Sequence, residues 1–192
     1  MINKIFNNKL YICSIGLLCV LTYLLNYCSA IYQCTAVFTV IAIIINASTS
    51  IYGRTKTIKR LAIALITSFA LLWKLPYYID GKIINGLVLA SFSSVMISLY
   101  WSTSVFQKLT SNFSFVKSNF FSLSVAAIID GLIMGLFFIV NNNFSYPRVL
   151  DIFSRELSYK MMYGLVASAI ILTTLNIFKN NKKLGCNLKI TN

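Results

Sequence analysis

Residues 121–140 read FSLSVAAIIDGLIMGLFFIV, an apolar run interrupted by one charge, Asp130. At 1.5 Å of rise per residue, a helix of this length spans a hydrocarbon core of about 30 Å. Extended by one residue to 120–140, it is the fifth of six such stretches. The others are residues 10–30, 34–52, 61–79, 83–106 and 159–178. The spacing predicts an all-α membrane protein, one domain over 1–192, with six transmembrane helices.

Composition agrees. Of 192 residues, 58% are hydrophobic and only 17 basic and four acidic side chains occur, too few to coat a conventional soluble globule. Six crossings and their loops use nearly the whole chain, leaving no room for a second folded domain.

The positive charges alternate by loop. Lys4 and Lys9 precede the first stretch; Arg54, Lys56, Lys59 and Arg60 lie between the second and third; Lys108 and Lys117 between the fourth and fifth; Lys179, Lys182, Lys183 and Lys189 after the sixth. No acid accompanies them. The opposite side has Lys82, Arg148 and Arg155 with Asp80, Asp151 and Glu156. By the positive-inside rule the first set is cytoplasmic, so both termini are expected in the cytoplasm, consistent with an even number of crossings. A net charge of +13 raises nucleic acid as a partner. The bases are instead spread one short loop at a time, so membrane lipid headgroups account for them and no nucleic acid is expected. Frequent Asn, Ile and Lys fit an AT-rich genome, which inflates Lys without explaining the asymmetry.

A secretory signal ending at Cys28-Ser29-Ala30 is the rival reading of the first stretch. That stretch is longer than a usual signal core, and its removal leaves five crossings with mismatched ends. Cys28 and Cys34 flank the first outer turn; free structural thiols are expected there, because the spacing is not diagnostic of a disulfide.

Histidine is absent, and three of the four carboxylates fall in expected loops. A hydrolase triad or a metal cluster has few parts to draw on. No phosphate-binding loop occurs, so the chain is not expected to hydrolyse ATP itself. A non-enzyme without cofactor or metal is the expectation.

Polar residues within the apolar stretches then guide function. A carboxylate at the depth of Asp130 costs about 2.5–3.5 kcal/mol on insertion scales and normally faces a cavity, a partner charge or a proton path. Substrate ligand, proton-coupling site and structural anchor are its three readings. Lys160 opens the sixth stretch, and Lys74 lies near the end of the third, where it is expected to snorkel. If the amphipathic run VLDIFSREL (149–157) continues into the sixth stretch, Lys160 is drawn inward toward the outer side of Asp130; their expected depths still differ by roughly 10 Å, so a direct pair requires tilt, a water or a ligand. Asn46 and Ser50, four apart, are expected on one helix face. Ser91, Ser94, Ser98 and Ser102 form a stripe on the fourth stretch. That stripe and the glycines Gly131, Gly135 and Gly164 are expected to mediate close helix packing.

Four runs in order, FTVIAIIINASTSIYG (38–53), ASFSSVMISLYWSTSVFQKL (90–109), FVKSNFFSLSVAAIIDGLIMGLFF (115–138) and SYKMMYGL (158–165), resemble the queuosine precursor transporter family, also called the vitamin uptake transporter family. The matching elements are Phe38, Tyr52 and Gly53; Ala90, Ser91, Ser98, Val105, Phe106, Lys108 and Leu109; Asn119, Ile129 and Asp130; Tyr159 and Lys160. The resemblance covers about residues 35–180. It implies a six-helix bundle in the bacterial inner membrane that imports a deazaguanine base. The implied substrate-binding set is Asp130, Lys160, Asn46, Ser98 and Ser50. Asp130 would accept from the ring N–H and exocyclic amine of the base.

The departures are informative. The family pattern has acids at the positions of Asn46 and Ser50, Gln and Asp at Leu99 and Ser102, and a Ser-Gln pair at Ala126 and Ala127. Loss of those groups bears on the substrate more than on the fold. Two function classes follow: a small-molecule importer of a deazaguanine or related purine-like or vitamin-like compound, and a non-transporting membrane partner or vitamin-binding subunit of a larger ATPase-driven transporter. A homodimer and an ATPase module are the partners left open.

Overall fold

The computed structural model of the chain describes residues 2–28, 30–73, 78–79 and 82–187, with side chains described over 12–28, 30–73, 84–174 and at 177. Lys74, Asp80 and Lys189 lie outside the described residues. The architecture is all-helical apart from a two-residue antiparallel bridge pair. In chain order the helices are α1 (Ile2–Tyr27), α2 (Ile31–Tyr52), α3 (Arg54–Leu72), α4 (Leu87–Thr110), α5 (Phe115–Val140) and α6 (Tyr146–Asn187). Between α3 and α4, Tyr78 pairs with Ile83 and Ile79 with Lys82.

The six helices follow the six apolar stretches with shifted bounds. α3 begins at Arg54, not at 61, because the four bases expected in a loop continue the helix directly after Gly53. Gly53 has φ +80°, a conformation L side chains rarely adopt, and it separates α2 from α3 by a single residue. α4 is displaced to 87–110 and α5 gains a turn at its start. The largest correction is α6, which begins at Tyr146, well before the expected 159, so the amphipathic run 149–157 is helical.

Among the described residues, four helices are long and apolar enough to cross a membrane: Ile31–Tyr52, Leu87–Thr110, Phe115–Val140 and the Tyr146–Thr174 part of α6. The apolar part of α1 is shorter, Ile12–Tyr27. α3 has 19 residues, with its bases confined to the first two turns. Large apolar side chains stand exposed around the bundle, among them Ile12, Ile51, Ile66, Leu71, Leu136 and Ile170. Soluble monomers rarely expose so many large apolar side chains, and a bilayer accounts for them.

Side-chain contacts give the relative directions. Arg60 Nη1 donates to Ser14 at 3.2 Å and Thr22 pairs with Ser68 at 2.7 Å, a constant offset of 46 residues, so α1 and α3 run parallel. Ser94 bonds Asp130 and Ser102 bonds Ser122, a constant sum of 224, so α4 and α5 run antiparallel. The α5–α6 hairpin turns through residues 141–145, where Asn142 takes φ +51° and the Asn143 N–H caps the Phe138 carbonyl at 3.0 Å. α2 touches all five other helices.

At the end of the bundle that begins α3, the guanidinium of Arg60 is buried over the Tyr52 ring at 3.9 Å. Arg54 lies over Tyr100 at 4.2 Å and donates to the Tyr100 carbonyl. Two of the bases expected in a loop at the lipid headgroups thus brace α3 against its neighbours.

The glycines of α5 serve the internal α5–α6 seam. A Cβ on Gly131 would lie 2.6 Å from the Phe153 ring, whereas one on Gly135 would meet Val149 at an ordinary 3.5 Å. Gly131→Ala is therefore expected to destabilise the protein by about 1–3 kcal/mol through overpacking, and Gly135→Ala to be tolerated. Thermal unfolding of the two variants in detergent checks the contrast; equal behaviour would contradict it.

Candidate functional site

Four helices bring one side chain each to a common level. Asp130 comes from α5, Lys160 from α6, Ser94 from α4 and Phe38 from α2. Lys160 Nζ donates to Asp130 Oδ2 at 2.5 Å and to Glu156 Oε1 at 2.5 Å, one turn earlier on α6. Its third side is covered by the Phe38 ring, 4.1 Å from Nζ to the centroid. Ser94 Oγ lies 2.5 Å from Asp130 Oδ1 and 3.0 Å from the Asp130 carbonyl, so it faces both.

The expected 10 Å separation of Asp130 from Lys160 is thus overturned. Continuation of the amphipathic run 149–157 into α6 draws Lys160 inward far enough to close that gap. With α6 starting at Tyr146, Lys160 lies 14 residues into the helix, and Asp130 lies ten residues before the end of α5. Around a five-residue turn those positions meet without tilt, water or ligand.

Lys160 is 1% exposed, and the Asp130 side chain 7%. The Glu156 side chain, at 22%, is the most open of the three and lines a small cleft between α5 and α6 with Gly131, Phe153 and Met134. The cleft holds about 10 Å³, room for one water. Ionised, the trio has one more acid than base. Glu156 falls outside the apolar stretches of the sequence; its position four residues before Lys160 is the signal there that marks it as a partner.

Asn46 is buried in a second polar layer. Its Nδ2 donates to Asn119 Oδ1 at 2.8 Å and to Ser122 Oγ at 3.2 Å, and Ser122 Oγ lies 2.6 Å from Ser102 Oγ. Ser98 is also fully buried, but its hydroxyl is bound to the Val95 carbonyl of its own helix at 3.1 Å and bonds to neither layer. Ser50 is exposed and belongs to neither. The i,i+4 pairing of Asn46 with Ser50 fails because four residues advance a helix by 400°, and that 40° carries Ser50 past the edge of the buried face. Thr49, three residues from Asn46, is buried instead.

At the turn between α1 and α2, Cys34 Sγ donates to the Cys28 carbonyl at 3.2 Å, and both thiols are free. Among the described residues no three His, Cys, Asp or Glu side chains are grouped to hold a metal ion.

Chemically, the charged trio offers carboxylate oxygens to a donor-rich or cationic group, with an ammonium already in place that must be displaced or shared. Lys160→Met leaves two carboxylates without their cation and is expected to destabilise the protein by roughly 3–5 kcal/mol. Glu156→Gln is expected to cost much less, because Glu156 reaches the cleft and Asp130 keeps its lysine. Unfolding midpoints in detergent read the difference; a Glu156→Gln loss as large as that of Lys160→Met would refute this ranking.

Comparison of the chain with family models, curated proteins and solved structures returns no match.

Proposed function

We propose that the chain is a six-span importer of the bacterial inner membrane, with both termini in the cytoplasm, and that its cargo is a deazaguanine base or a related purine-like or vitamin-like molecule. The observation that carries the reading is the buried trio Asp130–Lys160–Glu156 at the junction of α2, α4, α5 and α6. A lock between helices needs one acid per lysine. The second carboxylate is surplus to that need, and intramembrane charges of this kind mark substrate or proton paths.

A deazaguanine edge presents a ring N–H beside an exocyclic amine, the donor pair a carboxylate accepts. The base's entry at Asp130 would transfer Lys160 to Glu156, which already holds it, so no charge is stranded during the exchange. The resemblance of residues 38–53, 90–109, 115–138 and 158–165 to the queuosine precursor transporter family supports the same assignment. The cleft beside Glu156 is far smaller than a base, so import in this reading requires α6 to move away from α5, as in carriers that rock around a midplane site.

One observation favours a second reading. The ion pair is direct and the seam around Gly131 is tight, as expected of a non-transporting membrane partner whose trio only locks helices together. Queuosine in tRNA separates the two. Bacteria lacking both queuosine synthesis and their own importer would express the chain and receive deazaguanine precursors at low concentration. The expected result is queuosine with the wild-type chain and none with Asp130→Asn at equal membrane levels. Absence of queuosine with inserted wild-type protein would refute import of this cargo. Degradation of Asp130→Asn alongside active wild type would support a locking role for Asp130 and remove it from the site.

A further inference from the structure

The two polar layers are in register. From the charged layer, eight residues along each helix toward the end that begins α3 lead from Phe38 to Asn46, from Ser94 to Ser102, from Asp130 to Ser122 and from Lys160 to Ser168. Eight residues are about 12 Å of helix. Halfway, at four residues, stand Ala42, Ser98, Ala126 and Gly164, all small and all buried. The bundle thus has a charged layer, a layer of small side chains and an uncharged polar layer.

The uncharged layer is left unfinished by the protein itself. Asn119 is 1% exposed and its Oδ1 is fixed by Asn46, which holds its Nδ2 within the layer, yet that Nδ2 has no hydrogen-bond partner among the described residues. Ser118 Oγ, on the same helix, and Ser168 Oγ, at the same level of α6, are likewise buried without partners. Native interiors leave few such atoms, and each calls for an occupant. In a low-dielectric bundle a group that accepts from an amide N–H and hydroxyls satisfies them.

We propose that the Asn46–Asn119–Ser122–Ser102 layer is a second, hydrated binding station, reached from the cytoplasmic end and taking the carbonyl edge of the transported molecule after it leaves Asp130. This rests on the import reading for the orientation and the cargo. The charged layer binds donors and the inner layer binds an acceptor, so a molecule bearing both exchanges one edge for the other as it passes the small layer. Water fills the station when the cargo has left.

Cysteine substitution tests this independently of the cargo. In a chain with its five cysteines replaced by alanine, Ser118→Cys and Ser168→Cys change one atom each and are assayed with a small, membrane-impermeant thiosulfonate. Labelling is expected in inside-out vesicles and not in right-side-out vesicles, with full labelling after denaturation as the control for intact thiols. No labelling from either side would mean a dry packing layer and overturn the proposal. Labelling from the outer side, alone or as well, would overturn the closed small layer.

The ligand class is tested by protection. A deazaguanine base is expected to slow labelling of Ser118→Cys, and a 2-amino-deazapurine lacking the ring carbonyl is expected not to. Equal protection by both, or none in a chain that restores queuosine, would overturn the carbonyl assignment. No protection together with no queuosine would sink the cargo and the carbonyl assignment at once, while the sidedness of labelling would still decide whether the station is hydrated.

Discussion

The Lys160 ammonium, held between two carboxylates and the Phe38 ring, is the constraint around which the bundle is arranged. A lone ammonium or carboxylate at this depth would be driven to neutralise or to recruit water. Each of its neighbours comes from a different place in the chain: Glu156 from one turn earlier on α6, Asp130 from across the hairpin, Phe38 from α2. Ser94 then ties Asp130 to α4. One cation therefore fixes the rotation of four helices about their axes, something apolar packing alone specifies weakly.

Close approach of α5 to α6 is the second requirement. A 2.5 Å contact between Asp130 and Lys160 needs the two backbones near each other, and the small residues beside the pair permit it. Gly131 follows Asp130 directly and receives the Phe153 ring; Gly164, one turn beyond Lys160, receives Leu123. In lipid, where apolar side chains gain little by leaving the tails for one another, such small-residue seams and interhelical hydrogen bonds supply association. The expected GxxxG packing of α5 is thus an internal contact, and its function is to bring the charges together.

Much of this was legible in the residues. Asp130 was identifiable as the decisive polar residue because a charge inside an apolar run has few innocent explanations, and the six helices followed from length and hydropathy alone. What was not legible was depth. Hydropathy alone starts α6 at 159, but a helix continues through amphipathic residues when one face still packs, and Phe153 and Val149 pack on α5. That boundary sets Lys160 about two turns too shallow and leaves Glu156 in a loop. Charge is equally ambiguous in residues 54–60: loop bases are expected at the lipid headgroups, whereas Arg60 is fully buried against α1 and Tyr52.

The contrast between the two polar layers bears on which function class the fold suits. A bundle selected only to be rigid would satisfy its buried groups, since each orphan costs about 1–3 kcal/mol. The charged layer is saturated: all three directions around the Lys160 nitrogen are used. The layer eight residues away is not, with an amide and two hydroxyls left over on α5 and α6. Those two helices are also the ones separated by the cleft beside Glu156. In the import reading the helix pair that parts for a cargo is the pair carrying the unsatisfied groups, and α4 and α5, tied by the Ser94–Asp130 and Ser102–Ser122 bonds, stay together as the fixed wall.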